Sequence, residues 1–449
     1  RAGFGSNPDE LDQLVEKGYE NTVEQLVNPP DDVPRADQYL IYRYMPSLEG
    51  GGAPTWLYNM VNTKRPLEEK MALFWHHIFA TGNSKVDNMQ CLSPQVQMFR
   101  DHGMGNYRDM LVRIAQNPAM IYWLDNNENH KRAPNENWGR ELLELFSMGV
   151  GNYTETDVFE CARAFTGWTI GAKIPRNPYH RYPWQYEFRP EEHDYGEKTF
   201  LGHTGNFDGD DIIDIIIQQP ACHRFVARHL YNFFVADEPQ VPAWNIEPPG
   251  NPEAIEQMAK TFVDSGFEIK PVLLEMFNSD FFKESMYKKV KSPAEVVVGT
   301  LRLTGDLQGP DPRLSDMGQE PAYMGQSLLN PPSVEGWQTG RDWFNSGSVV
   351  SRINFVAERV GNIDLPGVQS IISKVASDGA STTPDVLVDR CLDLMGPVHV
   401  SENTRRQLAS HAEEEGVLSW ATDKEYATSA RRVGDMLALI AASTEYQFG

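Results

Sequence analysis

Apolar positions recur at helical spacing along almost the whole chain. Residues 67–81 (LEEKMALFWHHIFAT) run as a strong helix that Gly82 closes. Residues 107–116 form another, broken at Asn117-Pro118, and 118–125 make a short helical turn. Asn7-Pro8-Asp9-Glu10 has the chemistry of a helix start: a cap residue, a proline in the first turn and early acids. A second short helix follows near Thr22 to Val27. Residues 136–149 read as a long amphipathic helix closed by Gly149, and Thr154 caps a helix over 155–168. Further helices fit 211–218, 221–235, 252–264, 270–278, 291–304, 351–359, 366–376, 384–394, 403–410 and 430–442. Helix should exceed strand several-fold. The expected fold is all-α, mainly helical, with one large multi-helix domain spanning residues 1–449.

Residues 169–210 interrupt this pattern with Gly, Pro and aromatic residues. Tyr186-Glu187-Phe188 and Lys198-Thr199-Phe200-Leu201 read as short strands, so the segment is expected to be a long loop with a small irregular β-hairpin insert. An insert of this length is often functional. Residues 239–250, 306–320 and 331–346 read as turn or loop regions. Three helix ends resemble one another: Leu111 to Asn117-Pro118-Ala119-Met120, Leu273 to Ser279-Asp280-Phe281-Phe282, and Leu437 to Ser443-Thr444-Glu445-Tyr446. Each reads as a helix stopped by a polar residue, with an apolar residue three positions later folding back. Repeated substructure and convergence on one capping pattern both account for it.

Composition narrows the function. The 449 residues carry a net charge of −23 with no long basic stripe, which disfavours nucleic acid as a partner. An apolar fraction of 40% with 10 Trp, 17 Tyr and 21 Phe supports a folded core rather than disorder. No apolar run approaches the ~18 residues of a transmembrane helix. Cys91, Cys161, Cys222 and Cys391 form no CxxC pair and no disulfide scaffold, and Cys161 and Cys222 read as buried thiols. The chain opens on Arg1 rather than Met, as a processed or incomplete chain would.

Candidate chemistry gathers at the start of the 136–149 helix. Glu136, Arg140 and Glu144 lie four apart on one face, flanked by Asn137 and Glu141. Glu136, Glu141 or Glu144 could ligate a cation or act as general base, and Arg140 could orient an anion. The same spacing also makes an acid–base–acid ladder, in which Arg140 pairs with Glu136, Glu144 or Asp125. The preceding Asp125-Asn126-Asn127-Glu128-Asn129-His130 supplies oxygen donors but lacks the spacing of an EF-hand, and it also suits an Asx-rich turn. His193-Asp194 on the insert could serve as a general base or mixed metal site. His76 and His77 diverge on their helix, and His76 is the better site candidate. The catalytic candidates are therefore Glu136, Arg140, Glu141, His193 and Asp194, and the metal candidates are Asp125, Glu136, Glu141, His193 and His76. Oxygen donors favour calcium or magnesium; histidine participation would favour zinc, manganese or iron. Tyr179, Tyr182, Trp184, Trp337 and Trp343 lie in irregular segments, where they could stack on sugars, meet a protein or pin loops. No Walker A, GxGxxG or GxSxG motif occurs.

Several blocks together resemble the uncharacterised bacterial DUF1800 family. They are Arg1-Ala2-Gly3-Phe4-Gly5, Phe74-Trp75-His76, Pro118-Ala119-Met120 through Leu124-Asp125, and Asn135-Glu136-Asn137 through Arg140-Glu141-Leu142 to Glu144-Leu145-Phe146. Gly149 to Thr154, Phe165-Thr166-Gly167-Trp168, His193-Asp194 with Gly196 and Lys198, and Lys291-Ser292-Pro293 with Glu295 complete the set. The family's tryptophan block often continues Trp-His-Asn-His-Phe. This chain reads Trp75-His76-His77-Ile78-Phe79, so Ile78 stands at the second histidine position. The resemblance brings no activity. It implies export, to a periplasmic or extracellular location, and an association with a second family related to sulfatases and alkaline phosphatases. The resulting expectation is an exported protein with a carboxylate-rich polar pocket, either a metal-dependent hydrolase or a binder of an extracellular polymer or small anionic ligand. The alternative is a non-catalytic partner or scaffold for an exported sulfatase- or phosphatase-like protein.

Overall fold

The computed structural model describes residues 1–45, 51–172, 184–377, 379–396 and 398–449. Helices dominate them, and the strands form three two-stranded antiparallel pairs. Pro252–Asp264, Pro366–Ala376 and Pro384–Leu394 start and stop where periodicity places them. Each opens on a proline, whose missing N–H costs nothing in a first turn. Ala53–Asn62 and Met89–His102 escape the pattern for opposite reasons. The first is buried continuously over residues 55–61, its polar Thr55 and Asn59 included, so it has no solvent-facing stripe over that stretch. The second contains Pro94, placed just past the first turn, where it removes only one intrahelical bond.

The insert holds two hairpins rather than one. Trp168–Ala172 pairs with Trp184–Phe188, with Trp168 opposite Phe188, while Lys198–Phe200 pairs with His203–Gly205. The helix expected over 155–168 therefore ends earlier, as Glu155–Ala164. The expected helix over 136–149 divides into an α-helical Asn137–Glu141 and a π-helical Leu142–Ser147. Leu142, Leu143, Leu145, Phe146 and Ser147 are all buried, so this second half lacks the polar face its first half shows.

The three similar helix ends share one capping device. Asn117 Oδ1 accepts from Met120 N (3.2 Å), Ser279 Oγ from Phe282 N (3.2 Å) and Ser443 Oγ from Tyr446 N (3.3 Å). The polar residue thus starts the next short helical turn, and the apolar residue three later supplies the bonded N–H. This accounts for the similarity without any repeat.

Pro66–Ile78 runs through the core with residues 67–76 buried, and it carries three buried charges. Each meets a partner from another part of the chain. Glu68 accepts from Arg35 Nε (2.6 Å), Glu69 from Arg100 Nε (2.6 Å) and Trp56 Nε1 (3.1 Å), and Lys70 donates to Glu295. A buried charge without its partner is costly, so these contacts fix how the surrounding segments dock. Replacing Arg100 by Met strands Glu69 and should lower unfolding free energy by about 3–5 kcal/mol. The double variant Glu69→Leu/Arg100→Met should recover at least half of the loss in urea denaturation. A double variant no more stable than Arg100→Met would contradict this assignment.

Candidate functional site

The site grows from the turn that ends Glu155–Ala164. Thr154 caps this helix through a reciprocal bond with Asp157, and Gly167 then turns the chain at φ 79° into Trp168–Ala172. A Cβ at Gly167 would lie 2.6 Å from Arg189 O, so the position needs glycine for conformation and for space. Its backbone is doubly bonded: Gly167 N donates to Asn129 O (3.1 Å) and Arg189 N donates to Gly167 O (2.9 Å).

Thr166 connects this turn to the His193 loop. His193 Nδ1 lies 2.8 Å from Thr166 O. A carbonyl only accepts, so Nδ1 carries the hydrogen and the tautomer is set. Thr166 Oγ1 accepts from Asp194 N (2.8 Å) and donates to Arg163 O (2.6 Å). Asp194 accepts two bonds from Arg163, at 2.8 and 3.3 Å, and this guanidinium holds its carboxyl below the usual range. Buried Lys198 donates to Asp194 O (2.6 Å) and Gly196 O (3.1 Å). Asp194 is thereby a positioning residue. The two sequence blocks Phe165–Trp168 and His193–Lys198 are complementary halves of one knot.

His193 is buried, yet its ring lines a cavity of about 300 Å3. Nε2 makes no hydrogen bond with any described residue. Trp168, Tyr186, Phe188 and Tyr195 give the cavity aromatic walls, and Asn206, Asp208 and Asp210 give it polar ones. Phe188 (41% exposed) and Tyr195 (56% exposed) each make an edge contact with the imidazole, at 5.5 and 4.6 Å between ring centres. Asp208 caps the helix Gly209–Ile217 by accepting from Asp210 N (3.0 Å) and Asp211 N (3.2 Å). Burial pushes the Asp210 carboxyl up, helped by Asp208 and opposed by Arg108.

The other candidates sit elsewhere. Asp125 pairs with Lys85 (2.7 Å) and accepts from Asn137 Nδ2 (3.4 Å). The buried Asn126 and Asn129 amides tie this turn to the Thr166 region: Asn126 Nδ2 donates to Trp168 O (2.8 Å), Asn129 Nδ2 donates to Ala162 O (2.8 Å), and Asn129 Oδ1 accepts from Asn135 N (2.9 Å). Half of the expected charge ladder forms. Arg140 meets Glu136 at 3.3 Å but turns its stronger contact, 2.6 Å, to Glu155. The π-helical start at Leu142 takes Glu144 out of the i,i+4 register, and Glu144 accepts from Tyr153 OH instead (2.9 Å). His76 is enclosed by Trp56, Phe99 and Trp337, and burial lowers its pKa to about 3. His77 Nδ1 accepts from Trp337 N (3.2 Å).

The residues expected at a cation site are Asp125, Glu136, Glu141, His193 and His76. Among the described residues no three His, Cys, Asp or Glu side chains are grouped to hold a metal ion. Asp125 and Glu136 face basic partners, and His193 is held by Thr166. Of the expected aromatic residues, Trp337 and Trp343 are buried and Trp184 packs on Tyr122 (4.8 Å). Tyr179 and Tyr182 lie outside the described residues. Sequence reasoning missed Asp208, Asp210, Phe188 and Tyr195 as partners of His193. The aromatic alternation at Tyr186-Glu187-Phe188 was the available signal.

Burial raises the Glu141 carboxyl from 4.5 to about 7, with Glu144 and Glu335 raising it further against Arg140. The unfolded chain would release this proton near 4.5, so folding retains a proton between 4.5 and about 7. Stability should therefore fall as pH rises through that window and level off above it. Glu141→Gln should flatten this dependence by on the order of 1–3 kcal/mol between about pH 4 and about pH 8, read by urea denaturation. Identical pH profiles for variant and wild type would rule out a proton held at Glu141.

No curated protein and no solved structure matches the chain. Residues 1–448 match the family model described as "Protein of unknown function (DUF1800)". The blocks that lock Thr166 to His193, and the Asn135–Phe146 block tied to them through Asn129, are therefore features of a chain that belongs to the DUF1800 family.

Proposed function

We propose that this chain binds a neutral, hydroxyl-rich ligand, a saccharide unit of an extracellular polymer, in the His193 cavity. One observation carries the reading: an imidazole with a fixed tautomer, its Nε2 unengaged by any described residue, packs with exposed aromatic rings at a cavity edged by carboxylates and an amide. Aromatic rings offer apolar faces to the C–H surface of a sugar ring. Nε2 accepts a hydroxyl proton, and Asn206, Asp208 and Asp210 offer further hydroxyl partners. Asp208 and Asp210 oppose an anionic ligand here, which narrows the expected ligand to a neutral one. A cavity rather than a flat aromatic face favours a ligand over a docked enzyme. The exported location implied by the family resemblance belongs to the same proposal.

Isothermal titration with neutral cello-, xylo-, laminari- and chito-oligosaccharides, against polygalacturonate as the anionic control, tests it. Wild type should bind at least one neutral series. Tyr195→Ala and His193→Ala should each weaken that binding by about tenfold, with melting curves confirming folded variants. Absence of binding across the neutral series, preference for the polyanion, or unchanged affinity in both variants would refute the proposal.

A further inference from the structure

The buried cation Lys70 is the nearest of a group whose positive charges outnumber its carboxylates. Glu295 pairs with Lys70, and Asp237 Oδ1 accepts from Lys289 Nζ (3.1 Å). Lys291 and Arg352 have no carboxylate in contact among the described residues. Lys291 Nζ donates to Tyr446 O (2.8 Å) and lies 4.3 Å from the centre of the Tyr446 ring. Arg352, fully buried, donates to Gln447 Oε1 (3.1 Å) and Lys291 O (2.5 Å), while its Nη1 finds no partner among the described residues. Arg1 lies beside the same group, so among the described side chains the cations here outnumber Glu295 and Asp237, inside a chain of net charge −23. Unpaired buried charge is costly, so such an excess calls for a counter-charge.

A cavity of about 330 Å3 opens beside this group. Lys289, Lys291, Glu295, Thr300 and Tyr446 line it together with the apolar Val296, Leu303, Met395 and Val398, and Glu295 is already engaged by Lys70. Arg1 and Gly449 also line it. Lys291 comes from the Lys291-Ser292-Pro293 block, which the His193 site does not use.

We propose that this cavity binds a small amphiphilic organic anion, with its carboxylate or phosphate at Lys291 and its apolar body against Val296, Leu303 and Val398. The site is separate from the His193 cavity and shares no lining residue with it. Burial pulls Lys291 down to about 8, with Glu295 opposing the effect and Arg352 adding to it. An anion at its Nζ would relieve that cost.

Calorimetric titration of the full chain with octanoate and with phenyl phosphate tests the site, with octanol as the uncharged control. At least one anion should bind and raise the melting temperature, and octanol should bind far more weakly. Binding of octanoate alone assigns a carboxylate ligand, and binding of phenyl phosphate alone assigns a phosphate ligand. Lys291→Met should weaken the bound anion by about tenfold or more. A second measurement needs no variant: the bound anion should protect Lys291 in wild type from acetylation by acetic anhydride, read by peptide mass spectrometry. The proposal is overturned by failure of both anions to bind, by octanol binding equally well, or by unprotected Lys291 at saturation.

Discussion

The carbonyl and hydroxyl of Thr166 hold the two sides of the candidate site together. The carbonyl accepts from His193 Nδ1 and the hydroxyl accepts from Asp194 N, so one residue holds the His193 ring and the backbone of the next residue in a distant loop. That works only because Gly167 adopts a left-handed conformation, which lets Arg189 N reach its carbonyl. The same turn takes a bond from the other direction, since Asn129 O accepts from Gly167 N. A side chain added at Gly167 would therefore disturb the hairpin, the His193 loop and the 125–135 turn together.

The two cavities differ in the charge of their surroundings, and that difference supports the ligand class proposed for each. Around His193 the nearby ionisable wall groups are Asp208 and Asp210, with Arg108 4.0 Å from Asp210 as a partial counterweight. Beside Lys291 the excess is positive, although the chain as a whole is strongly acidic. Charge is thus concentrated against the average composition at one place and with it at the other. Net charge alone would have predicted only the second condition.

Much of the fold was legible because a surface helix writes its period into the sequence. Pro384–Leu394 does so, whereas Ala53–Asn62 is buried continuously over residues 55–61 and Met89–His102 contains a proline that reads as a stop. The π-helical turn at Leu142 was invisible for a related reason: all its residues but Glu144 are buried, so no polar stripe betrays the change of register. That change is why Arg140 pairs with Glu155, a residue no i,i+4 rule connects to it. Within the site, His193 was recognisable as a loop histidine beside an acid. Its neighbours were not, because Trp168 meets Phe188 through strand pairing and Asp208 arrives by way of a second hairpin. The Asn126 and Asn129 amides, legible as oxygen donors, instead hold backbone groups.

The central claim is that His193 presents a lone pair at Nε2 to a neutral ligand while Thr166 keeps the hydrogen on Nδ1. Long-range proton–nitrogen correlation spectroscopy on histidine-labelled protein at about pH 8 reads both ring nitrogens directly. His193, assigned by its loss in His193→Ala, should show a protonated Nδ1 and an unprotonated Nε2, and Nε2 alone should shift strongly on saturation with a bound neutral oligosaccharide. A hydrogen on Nε2, or a ring spectrum indifferent to the ligand, would contradict the account.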